Sequence, residues 1–198
     1  VRDISLHAAG LLAPDVGGVS VFPPLPSGVK ELNYNSAFKW TVSPGRNKYR
    51  RGIYTYFKRT APHPNLMTFD CPDSNVTSVQ RTRSNTPLAA LITLNNSTFS
   101  EAARSLAKRV LSSRDFQTDR GRITHAFRLC LSRPPDDPEL SRLLRLLEAA
   151  RSWYSTHPED TARMIPGALP EGITRPEWAS YSATVRVILN LDEFLTRN

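Results

Sequence analysis

The sequence has little cysteine and no long apolar run, and each shortage excludes something. Two cysteines among 198 residues, Cys71 and Cys130, cannot form a disulfide framework, and no C-x-x-C or C-x-x-C-H pattern surrounds them. Nothing in their spacing imposes a pairing. No stretch approaches the ~18 consecutive apolar residues of a membrane-spanning helix. The four histidines, His7, His63, His125 and His157, are far apart, with no carboxylate at ligand spacing, so no metal site is expected. The opening residues VRDISLHAAGLL carry neither an initiator Met nor a signal-peptide layout, and the chain is expected to be a piece of a longer protein.

What is present is proline and positive charge. Sixteen prolines against nine glycines crowd into the first third and then reappear singly where helices start. The formal net charge of +8 favours polyanionic partners. The arginines are nevertheless spread over nearly every polar helix face, which is also the appearance of an ordinary basic protein. Nucleic-acid binding would rest on charge alone and is the weakest reading.

The expected fold is mainly α: a bundle of about five helices with an extended Pro-rich N-terminal arm and a short strand or small hairpin. Residues 1–60 read as the arm, with a short helix over Arg2 to about Leu12 and one strand, and residues 61–198 as a helical domain. In Arg51 to Arg59, RGIYTYFKR, the side chains Ile53, Thr55 and Phe57 alternate with Tyr54, Tyr56 and Lys58, the period of a half-buried strand. A weaker strand candidate runs from Asn75 to Arg83. Thr86-Pro87 predicts a capped helix to Leu94 that buries Leu88, Ala89, Leu91 and Ile92. Thr98-Phe-Ser-Glu101 and Thr174-Arg-Pro-Glu177 both fit a capping box. Between them, Ile123, Ala126, Phe127, Cys130 and Leu131 form a stripe at helical spacing. Leu140, Leu143, Leu144, Leu147 and Ala150 form another, in a helix opened by Asp137-Pro138. Trp178, Tyr181, Val185, Ile188, Leu189 and Leu195 mark the last helix.

Two stretches are candidate sites. Arg81, Arg83, Asn85 and Thr86 lie in one turn before a helix start, where they could hold an anion or carboxylate by charge-assisted hydrogen bonds; the same residues also read as a turn and a helix cap. Arg50, Arg51 and Lys58 interleave with aromatic residues, a composition that can stack sugars while neutralising acidic groups, and that equally describes a strand with a basic outer face. Ser105-Leu-Ala-Lys108 matches S-x-x-K by letter without its partner motifs. No set of residues assembles a nucleophile, a base and an orienting partner.

Several blocks, among them GGVSVFPPLPSGV, YRRGIYTYFKRTAPHPNLMTFDCPD, RTRSNTPLAALITLNNSTFSEAARSLAKR and RITHAFRLCLSRPPDDPEL, follow one another in an order that resembles the C-terminal planctomycete-type domain of unknown function. That domain closes large exported bacterial proteins that often carry a cytochrome-c-like haem domain near their N-terminus. The resemblance implies a context rather than a reaction. It places this chain in the C-terminal part of the domain, with the upstream domains of the parent chain as partners and a periplasmic or extracellular location. Haem would belong to the parent, since no haem-binding motif lies in this chain, for which no cofactor is expected. The resulting expectation is a non-catalytic scaffold or interaction domain. The alternative is part of an enzyme or binding protein for anionic polysaccharide, with an Arg-rich subsite.

Overall fold

The computed structural model describes residues 1–26, 39–59, 61–72, 75–80 and 86–196. It is mainly helical. In chain order the helices are α1 (Arg2–Ala8), α2 (Pro64–Thr68), α3 (Pro87–Asn95), α4 (Ser97–Leu111), α5 (Asp119–Leu131), α6 (Asp137–Thr156), α7 (Pro158–Met164), α8 (Arg175–Ile188) and α9 (Asp192–Thr196). The five longer ones, α3 to α6 and α8, are the helices that periodicity and caps predict. The short α2 and α7 are additions, each started by a proline whose missing N–H is one of the unsatisfied donors of a first turn anyway.

The core is built around α4 and α8. Ala102, Ala103 and Ala107 on α4 and Ala179, Ser180, Ser182 and Thr184 on α8 are all fully buried, and their small size suits close packing of the two helices, which lie against each other. Burying three hydroxyls would be costly if they were unpaired, but each donates to a carbonyl one turn back: Ser180 to Pro176, Ser182 to Trp178 and Thr184 to Ser180. Around this pair, Leu106, Val110, Ile123, Phe127, Leu147, Tyr181, Val185 and Phe194 close the core. On α6, Leu140, Leu143, Leu147 and Ala150 are buried, whereas Leu144 is only partly so at the stripe's edge. Two ionic knots stitch the helices. Arg151 of α6 bonds Asp119 at the start of α5 and Glu177 of α8, and Arg133 joins Glu139 to Glu193 of α9.

Both predicted capping boxes turn out differently. The residue that caps α4 is Asn96, whose side chain accepts from the N–H of Thr98; Glu101 instead reaches the arm, bonding Lys48 at 3.1 Å and the Tyr49 hydroxyl at 2.5 Å. Thr174 does cap α8, but Glu177 is taken by Arg151. Asp136 caps α6 in a complete capping box with Glu139.

The predicted strand over residues 51–59 does not form. Gly45–Tyr49 and Gly52–Tyr54 are 3-10 turns, and only isolated bridges pair Ala13 with Arg50 and Val21 with Thr55. Two causes act on the backbone here. The N–H of Gly52 is captured by the Asp3 carboxylate, and Thr55 N–H folds back to the Gly52 carbonyl, so extension is broken just where the alternation begins. Thr55 is buried, but Ile53 is 78% exposed. The alternation of aromatics reflects a cluster instead: Phe22 stacks on Tyr56 with centroids 5.0 Å apart, and Trp40 meets Phe22 edge-on and donates its indole N–H to the Pro23 carbonyl. In the second strand candidate, residues 75–80 form no strand, and 81–83 lie outside the described residues.

Candidate functional site

A cleft of about 670 Å³ lies between the start of α1, the 3-10 turn at residues 52–54 and the loop around α2. Its residues come from segments some fifty positions apart, brought together by hydrogen bonds to backbone. Arg2 donates to the carbonyls of Arg50 and Lys48 at 2.9 and 2.8 Å, and Asp3 accepts the Gly52 N–H at 2.9 and 2.8 Å. The N-terminal helix is thereby fastened to residues 48–52. Burial pushes the Arg2 guanidinium below its ordinary pKa, an effect that the neighbouring Asp3 carboxylate opposes.

His63 also lines the cleft, in the Pro-His-Pro-Asn segment that starts α2. Its Nδ1 accepts the Asn65 N–H at 3.2 Å and so carries no proton; Nε2 then carries it and donates to the Pro24 carbonyl at 3.1 Å. Both ring nitrogens are engaged in the neutral state. Burial, together with the positive charge of Arg2, depresses the pKa of this imidazole to about 4. Although Cys71 lines the same cleft, His63 has no nitrogen left with which to take its proton. Asn65 continues the wall and accepts from Asn96, the cap of α4, at 3.0 Å.

The candidate residues separate sharply. Arg50 is 6% exposed: its guanidinium donates to the carbonyls of Asp15, Gly17 and Val19 and lies over the Tyr54 ring at 4.0 Å. It is a clasp for the 15–19 loop and cannot also receive a ligand. Arg51, by contrast, is exposed on the rim of the cleft, and no carboxylate among the described residues pairs with it. Lys58 is half-buried. Arg81, Arg83 and Asn85 lie outside the described residues. Thr86 is a helix cap, its hydroxyl accepting the Ala89 N–H at 3.1 Å. Thr86→Ala is therefore expected to cost about 0.5–2 kcal/mol with no ligand present, read by chemical denaturation; an unchanged midpoint would contradict the cap. Ser105 is likewise structural, donating to the Ala9 carbonyl.

Sequence reasoning missed Arg2, Asp3, His63 and Asn65. The one local signal was Pro-His-Pro-Asn, a helix-start pattern with a histidine at the capping position. Cys71 and Cys130 are not joined by a disulfide. Among the described residues no group of three or more His, Cys, Asp or Glu could hold a metal ion, and no helix is long and apolar enough to cross a membrane.

Compared with known proteins, the chain shows no significant match to a curated protein or to a solved structure. One family does match, over residues 1–147, a span that includes α1, the cleft and α3 to α5 and ends inside α6. With about three quarters of its length covered, the chain belongs to the PSD1 family, described as a protein of unknown function (DUF1553).

Proposed function

We propose that this chain is a non-catalytic interaction domain that docks against the upstream domains of a larger exported bacterial parent protein. The observation that carries this reading is the outer face of α3. The helix PLAALITLN is apolar on every side, and although it buries Ala89 and Thr93, it leaves Leu88 57% and Leu91 56% exposed one turn apart. The predicted burial of these two leucines is thus corrected. A helix apolar all round gives no phase, and the two smaller residues, not the leucines, face the neighbouring helices. Met67 on α2, which packs beside α3, is exposed as well. Exposed apolar groups of this kind mark contact surfaces.

The chemistry of the cleft supports the same reading. Asp3, His63 and Arg2 are committed to backbone groups, so none of these three serves as a base for Cys71. C-terminal placement, a periplasmic or extracellular site and haem elsewhere in the parent rest on the resemblance and complete the proposal, as does the division at residue 60 into arm and helical body. The second reading, a subsite for anionic polysaccharide, is favoured by Arg51 and not by Arg50, the two candidate arginines among the described residues.

The test is to mix the chain with the separately purified upstream part of its parent and measure association by sedimentation. A complex that forms with the native chain and weakens at least tenfold with the Leu88→Asp/Leu91→Asp pair is expected. Absence of a complex, or equal association of the variant, would sink the docking proposal.

A further inference from the structure

We propose that the cleft beside α1 is a binding site for a carboxylate carried on an apolar body. Its volume, about 670 Å³, lies within the range of small-molecule sites. Three charged side chains line it. Those of Arg2 and Asp3 cancel, because the carboxylate accepts from the Arg2 guanidinium at 3.1 Å as well as from the Gly52 N–H. The charge of Arg51 is left over, exposed at the rim. A cationic ligand would be repelled, and an anion is drawn in.

The unused hydrogen-bonding capacity has the same sign. Asn65 is 3% exposed; its carbonyl oxygen is occupied by Asn96, but Nδ2 has no partner, and Nε of the buried Arg2 also has none. With the exposed guanidinium of Arg51, which also meets the Tyr54 side chain, the amide and guanidinium capacity left around the cleft is made of donors alone. A ligand that brings acceptors and negative charge complements the exposed Arg51 directly, and a carboxylate matches its guanidinium fork with two oxygens. The rest of the wall is apolar: Pro23, Ile53, Phe57, Leu66 and Phe69. Sulfate or phosphate alone would leave that surface unused, and a fully hydroxylated sugar acid would set hydroxyls against it. The occupant that uses both halves is an amphipathic organic carboxylate, either a free acid or the C-terminal carboxylate of a peptide ending in an apolar residue. With His63 fully bonded, the site holds such a ligand without reacting with it.

Calorimetric titration decides the matter, using 3-phenylpropionate, its amide, N-acetyl-phenylalanine, a glucuronate disaccharide and inorganic sulfate on the native chain. The same probes are applied to Arg51→Gln and to Arg46→Gln, an exposed cation outside the cleft. The expected result is saturable binding of phenylpropionate or N-acetyl-phenylalanine, no binding of the amide, and a dissociation constant at least tenfold higher in Arg51→Gln but unchanged in Arg46→Gln. Whichever of the two carboxylates binds more tightly identifies the source, free acid or peptide terminus. The inference is overturned if the amide binds as well as the acid, if both arginine variants weaken binding equally, if glucuronate or sulfate binds in place of the apolar acids, or if none of the probes binds. None of these outcomes depends on docking at α3.

Discussion

Between pH 7 and pH 4.5 the protein is expected to lose about 2–3 kcal/mol of stability through His63 alone. The unfolded imidazole titrates near 6.5, whereas in the folded chain burial and the charge of Arg2 bring it to about 4. Between these values the unfolded state binds the proton and the folded state does not. Stability is therefore complete above about pH 6.5, falls as the pH drops toward 4, and below 4 this contribution changes no further. The full difference, about 2.5 pH units between 6.5 and about 4, corresponds to roughly 3.5 kcal/mol at about 1.4 kcal/mol per unit. Geometry explains the resistance to charging: a proton on Nδ1 would point at the Asn65 N–H, breaking the cap of α2. Asp119 and Glu139 behave differently. Their arginine partners, Arg151 and Arg133, hold them below the usual carboxylate range, so their contribution is lost at more acid pH. Urea denaturation at pH 7 and pH 4.5 should show this loss in the native chain and its near absence in His63→Gln. Equal losses in both would remove His63 as the cause.

Which parts of this structure were legible beforehand follows from where the information lies. The stripes Ile123, Ala126, Phe127 and Cys130 on α5 and Leu140, Leu143 and Leu147 on α6 are buried as their spacing predicts, because polar residues between them set the phase. Helix α3 has no such contrast, so its limits were readable from Thr86-Pro87 while its inward face was not. Alternation at residues 51–59 looked like a strand because period two says nothing about a distant carboxylate, here Asp3, capturing the Gly52 N–H. The cleft was invisible for the same reason. It is assembled from Arg2 and Asp3, the turn at Gly52 and the loop at His63, and only tertiary hydrogen bonds bring these together. Arg50 and Arg51 were indistinguishable as neighbours in a basic run, yet one is enclosed by carbonyls and the other stands in water.

That contrast carries the central claim, that the charged groups of the N-terminal arm mainly hold it in place and leave a single arginine, Arg51, for binding at the cleft. Arg50→Ala removes a guanidinium bonded to three carbonyls, Asp15, Gly17 and Val19, and stacked on Tyr54. Hydrogen bonds to charged groups contribute more than neutral ones, and buried acceptors left unmet add a penalty, so a loss of about 2–4 kcal/mol is expected. Arg51→Gln removes an exposed side chain and should shift stability by less than about 0.5 kcal/mol. The most direct measurement is equilibrium urea denaturation of these two variants beside the native chain at pH 7. A large loss for Arg50→Ala with Arg51→Gln unchanged is the predicted result; equal shifts, or a larger loss at Arg51, would contradict the account.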